Sequence, residues 1–206
     1  MKKWMKYTSL GVVILLAGYN SIYIRRLSEV RAAAKAGTFE AATYARHFLD
    51  VTLPAHPDKA VDLAGLSRTL TTDPARAFSE SHAQNDGNNR FFLVKGSGRI
   101  TRVDSEYIYL NVEGMSQPVM LATRYIIGTA ARDGSGLISV DEFTTTMEMN
   151  SVSEELNKLI RTQVVPPFVR VAKAGDRVLF TGAIELQKNK AAPDSLEVTP
   201  LNLNIQ

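Results

Sequence analysis

With 206 residues, 45% of them apolar and 22% charged, the chain has the make-up of a folded protein of one ordinary domain or two small ones. It holds no cysteine, which excludes disulfides, thiolate catalysis, iron–sulfur clusters and cysteine-ligated zinc together. The net charge of +3, part of it on the N-terminal flank, is small for a nucleic-acid footprint, and no nucleic acid is expected as a partner.

Lys2, Lys3 and Lys6 precede an apolar stretch, Leu10 to Gly18, and no charge follows until Arg25. A basic flank before an apolar core is an export segment. The uncharged run from Tyr7 to Ile24 is also nearly long enough to span a bilayer as a helix. No small-x-small cleavage site follows it, whereas Tyr19, Tyr23, Arg25 and Arg26 resemble the aromatic and cationic edge of a membrane helix. Residues 1–27 are therefore read as an uncleaved signal or anchor helix. They would hold the chain at a bacterial inner membrane with its body in the periplasm; cleavage and release into the periplasm is the alternative. Leu15-Leu16-Ala17-Gly18 has the form of a lipoprotein signal box, but Tyr19 stands where the lipidated cysteine would have to be.

Residues 28–88 read as a small helical subdomain. Ser28 to Gly37 is helix-prone, and Thr38 caps a second helix with Phe39, Ala42, Ala45, Phe48 and Leu49 at helical spacing, until Pro54 and Pro57 interrupt. Asp58 caps a segment carrying Leu63, Leu66 and Leu70, and Asp73-Pro74 starts a short helix to about Ser81. Asn85 to Asn89 is a turn-rich break, taken as a domain boundary.

From residue 89 to 206 the period alternates. Strands are predicted over Phe91 to Val103, with Gly96 and Gly98 marking a bulge, over Tyr107 to Glu113, and over about Val119 to Ile127, with a further short strand at Leu137 to Phe143. An amphipathic helix capped by Ser151 or Ser153 buries Val152, Leu156, Leu159 and Ile160 and stops at Pro166-Pro167. Val178 to Leu186 and Leu196 to Ile205 follow as strands, the last changing phase at Pro200 in the manner of a bulged edge strand. The fold class is thus α+β: an OB-like antiparallel barrel with one helix between its third and fourth strands, or an unclosed sheet packed on that helix.

No constellation for catalysis, metal or cofactor is visible, so no catalytic or metal-binding residue is assigned, no cofactor is expected, and the protein is read as non-enzymatic. His47, His56 and His82 share no metal-binding spacing. Asp133, Ser135, Gly136, Ile138 and Glu142 mimic a calcium loop, but its first ligand position is Ala131, and a turn through Gly134 to Gly136 is the plainer reading. Four residues are candidates for ligand binding or for structure. Arg132 and Asp133 form a clamp or an internal ion pair, with the internal pair favoured. Tyr107 and Tyr109 share one side of their strand, where OB-type barrels bind by stacking; they equally suit barrel exterior beneath the helical part.

The runs Phe39 to Tyr44, Leu53-Pro54-Ala55, Ala60 to Leu63, Phe92 to Gly98 and Ile127 to Asp133 with Leu137 to Phe143, ending at Val198 to Leu201, carry a resemblance. Together they resemble the predicted periplasmic lipoproteins of the domain-of-unknown-function family twenty-two ninety-one, with Gly128-Thr129-Ala130-x-Arg132-Asp133 the most specific piece. The resemblance implies a helical subdomain before an OB-like one, export to the periplasm, and genomic company with sugar ABC transporters. No activity or catalytic residue comes with it. The expected function is an accessory binding or assembly module for carbohydrate uptake, partnered by the inner membrane and transporter components; the alternative is an OB-type oligosaccharide- or nucleic-acid-binding protein.

Overall fold

The computed structural model describes residues 39–82, 87–188, 190 and 193–206. The anchor read over residues 1–27 and the helix expected over Ser28–Gly37 lie outside them. Among the described residues no helix is long and apolar enough to cross a membrane. Residues 40–206 form one compact unit.

Helix α1, Ala41–His47, runs without a break through a π-turn, Phe48–Thr52, into a last turn, Leu53–Ala55. Pro54 therefore does not interrupt the helix. It sits in the first turn after the π-turn, where a residue without an N–H leaves no bond unmade. Asp58, read as a cap, lies instead in a 3-10 turn, Pro57–Lys59. The cap of α2, Leu63–Thr72, is Asp62, whose Oδ2 accepts the Gly65 N–H at 2.7 Å. Asp73 caps α3, Pro74–Ser79, as its Asp-Pro signature predicts, accepting the Arg76 N–H at 3.1 Å.

Between these helices Val61–Asp62 forms β1, which lies parallel to β2, Asn89–Val103, with Val61 beside Val94. Strands β3, Tyr107–Val112, β4, Val119–Ala122, β5, Arg177–Gln187, and β6, Leu196–Ile205, complete the sheet. Its order β2-β3-β4-β6-β5 closes by pairing β5 back onto β2, so the sheet is a barrel and not an open layer. The barrel is not wholly antiparallel, because β4 and β6 run parallel along Leu121 and Val198. Strands β4 and β5 run in opposite directions, so the long connection between them begins and ends at the same end of the barrel, and β5 itself brings the chain back for β6.

Strand β2 serves two neighbours. Residues 89–99 pair with β5 and residues 98–103 with β3. The bulge falls between Ile100 and Arg102, not at the glycines. Gly96 is needed because a Cβ there would sit 2.8 Å from the Phe180 ring on β5. The third strand ends at Ala122 and the strand expected at Leu137 to Phe143 does not form. In its place are helix α4, Ala130–Asp133, and a 3-10 turn, Val140–Glu142, closed by a capping box between Ser139 and Glu142.

Helix α5, Thr146–Leu159, buries Val152, Leu156 and Leu159, with Ile160 just beyond, as its period predicts. Its cap is Thr145, in a second capping box with Glu148, and not Ser151 or Ser153. Pro166-Pro167 does not stop the chain's helical course either. A π-turn, Ile160–Val164, leads into α6, Val165–Val169, with proline again in the first turn. Helix α1 packs along α5. Pro200 sits where the β5–β6 register slips, as its phase change predicts, and past the end of the β4 pairing its missing N–H costs no ladder bond.

On β3 the alternation holds as read: Ile108, Leu110 and Val112 are buried, while Tyr107 and Tyr109 are only partly covered and Asn111 is exposed. The core runs through the barrel, from Phe92, Val94 and Ile100 to Leu121, Phe180 and Val198. Leu63, Leu66 and Ala77 of α2 and α3 belong to the same cluster. Phe91 to Val94 are buried as an unbroken run, with no inside–outside alternation over those four residues.

Candidate functional site

The six residues Ala130 to Ser135 are buried without a break. They are held against the barrel because Gly134 brings its backbone onto the barrel wall: a Cβ there would lie 2.8 Å from that of Ala183 and 3.2 Å from the Phe92 carbonyl oxygen. Within this segment Arg132 and Asp133 form a bidentate ion pair. Arg132 Nε donates to Oδ1 at 2.6 Å and Nη2 to Oδ2 at 3.0 Å, with side chains 4% and 3% exposed. Arg132 Nη1 also donates to the Met149 carbonyl at 3.3 Å, tying α4 to α5. The pair is therefore an internal one, as favoured from the sequence.

It is also the floor of a cavity of about 620 Å³. Asn88, Asn89 and Gln187 stand on the rim, with Phe91, Val140 and Met149 as apolar wall. Asn89 Nδ2 donates to Glu185 Oε1 at 2.6 Å beside the cavity. Burial, and then the negative charge of Asp133, push the Glu185 carboxyl above the usual carboxylate range. Such an arrangement can hold a polar ligand. Among the described residues no group of three or more histidines and carboxylates is placed to hold a metal. The side chains of the calcium-loop pattern are engaged elsewhere: Asp133 with Arg132, Ser135 Oγ as acceptor of the Leu137 N–H, and Glu142 as acceptor of the Ser139 N–H and the Tyr44 hydroxyl.

The tyrosines lie apart from this cavity, on the barrel's outer face. Their rings meet edge to face at 6.2 Å, Arg102 stacks over Tyr109 at 3.8 Å, and the Tyr107 hydroxyl donates to Glu197 on β6 at 3.3 Å. Asp104 accepts the N–H groups of Glu106 and Tyr107, which fixes the turn that presents them. The four sequence candidates thus form two separate places, Arg132 with Asp133 and Tyr107 with Tyr109. The rim residues Asn88, Asn89 and Gln187 were missed because they come from two places distant in sequence, the bend at the start of β2 and the end of β5, and carry no motif.

Of the histidines, His47 is exposed, and His56 is half-buried with its Nδ1 against the Thr52 carbonyl at 2.8 Å. His82 packs against Gly136, whose φ of 64° suits glycine and where a Cβ would meet the ring at 2.4 Å. Burial, and then the charge of Lys59, hold its imidazole below the usual 6.5. A histidine lowered on folding contributes stability above its unfolded value, and this is lost as the pH falls through the folded value. The urea midpoint should therefore drop between about pH 7 and pH 5, and His82→Gln should flatten that drop. An unaltered profile in the variant would assign the dependence to another group.

A closed five-stranded barrel of this order, with a helix between its third and fourth strands, defines an OB-fold protein. The chain belongs to the DUF2291 family, described as predicted periplasmic lipoproteins, whose profile matches residues 12–204. In structure it is similar to an OB-fold protein from Thermotoga maritima, with a TM-score of 0.74 at 23% identity, covering 82% of this chain and 100% of that one. No curated protein matches the chain.

Proposed function

We propose that the protein is a non-enzymatic accessory module of the bacterial envelope, tethered at the inner membrane with its barrel in the periplasm and serving carbohydrate uptake. Membership of a family of predicted periplasmic lipoproteins supports the location. The N-terminal basic and apolar segment supports the tether. The observation that supports the module reading is the barrel whose polar cavity rests on the internal Arg132–Asp133 ion pair. Deleting the gene should lower uptake of at least one sugar, restored by the wild-type gene in trans. Unchanged uptake across a panel of sugars would defeat this reading.

A second reading rests on the Arg102–Tyr109–Tyr107 strip: an OB-type protein binding an oligosaccharide or a single-stranded nucleic acid by stacking. Binding of an oligonucleotide that weakens steeply with salt and is lost in Tyr109→Ala would favour it.

A further inference from the structure

We propose that the cavity above Arg132 and Asp133 is a binding site for a neutral polyhydroxylated molecule of monosaccharide size, held through a pair of neighbouring hydroxyls. The assignment rests on the binding-module reading and adds the site and its chemistry.

The hydrogen-bonding capacity of the floor carries the argument. A guanidinium has five N–H donors, and Arg132 uses three, on the two Asp133 oxygens and the Met149 carbonyl. A carboxylate accepts about four hydrogen bonds, and Asp133 receives two. Donors and acceptors are thus left side by side on two groups that line the cavity and are otherwise 4% and 3% exposed. A hydroxyl both donates and accepts, so two adjacent hydroxyls match this floor, one giving to Asp133 and the other receiving from Arg132. A charged ligand does not match it, because the floor is a neutral pair: any anion drawn to Arg132 is repelled by Asp133, and Glu185 beside it disfavours anions further.

The walls agree with the floor. The amides of Asn88, Asn89 and Gln187 are uncharged and offer both kinds of partner to further hydroxyls. Phe91 and Val140 offer apolar surface to the C–H face of a ring, and Val140 is 44% exposed. The volume of about 620 Å³ falls within the range of small-molecule clefts.

The test is calorimetric titration of the full chain in detergent with D-ribose, D-galactose, D-xylose and myo-inositol, with inorganic phosphate and D-glucuronate as charged controls. Saturable binding of at least one neutral compound is expected, weakened at least about tenfold in Asn89→Ala/Gln187→Ala. The rim variant should keep the wild-type melting temperature, so a loss of binding is not a loss of fold. Asp133→Asn, used only if it melts cooperatively, should abolish the heat. Absence of saturable heat with all four neutral compounds up to about 10 mM, binding unaltered in the rim variant, or preference for a charged control would each overturn the proposal. Uptake that falls on gene deletion with no binding to this panel would overturn the site and leave the accessory role standing. Binding with unchanged uptake would support the site and count against the role.

Discussion

Replacing Asp133 by alanine should lower stability by about 3–5 kcal/mol, because it strands the Arg132 guanidinium in the interior without its partner. Arg132→Ala should cost a similar amount and also free the Met149 carbonyl, loosening α4 from α5. For a chain of this size that corresponds to a fall in melting temperature of about 10 °C. The two losses should not add. A double variant, Arg132→Met/Asp133→Leu, removes both charges and fills the space with apolar atoms, so it should recover most of the stability of either single variant. Urea unfolding followed by circular dichroism measures all three. Single variants within about 1 kcal/mol of wild type would mean that the pair behaves as a solvated surface bridge and not a buried one.

Gly182→Ala is the second large effect. Gly182 lies on β5 where the register against β6 slips, opposite Pro200. A Cβ at this point would be 2.4 Å from Val198 Cγ1 and 2.6 Å from the Thr199 carbonyl oxygen. The methyl of Val198 can turn aside, but the carbonyl belongs to the backbone of the barrel and cannot without parting β5 from β6. A loss of about 3 kcal/mol is expected, at the upper end for overpacking. Gly96→Ala is the internal comparison, since its clash is with the Phe180 ring and the ring can shift. Equal losses for the two variants, read as urea midpoints, would show that the barrel gives way as easily as a side chain does.

Helix ends in this protein are set largely by local sequence. Asp73-Pro74 was legible because cap and first-turn proline are adjacent. Thr145 and Ser139 carry an equally local signal, a hydroxyl followed three residues later by glutamate, and both close capping boxes. The strand expected at Leu137 to Phe143 arises because Ser139 and Asp141 alternate with the apolar Ile138 and Val140 in a way that mimics period two. Pro54 and Pro166 lie within continuous helical segments. Each breaks an α-helix in principle, yet a preceding π-turn reopens the hydrogen-bond register so that proline falls in a first turn. No residue type marks a π-turn, so the exception could not be read locally.

Of the candidate site, Arg132 and Asp133 were visible as sequence neighbours of opposite charge. Their burial was not visible, because Ala130 to Ser135 is covered by the barrel wall and by α5, elements remote in the chain. Tyr107 and Tyr109 were correctly set on one side of β3, since alternation within a strand is a local property. The contacts they make, with Arg102 across the bulge of β2 and Glu197 on β6, depend on register.

Apart from β1 and the helical turns between Ala130 and Glu142, local backbone chemistry and periodicity thus settle most of the described elements of this protein and their order: helices, three strands, a helix and two strands. These follow from side-chain spacing, caps and turns, each a matter of a few residues. Closure of the barrel, the parallel β4–β6 pair, the union of the α2 and α3 core with that of the barrel, and the cavity at Asn89, Gln187, Arg132 and Asp133 were decided by packing. Each of these joins residues far apart in the chain, whose meeting depends on how all the buried faces fit at once.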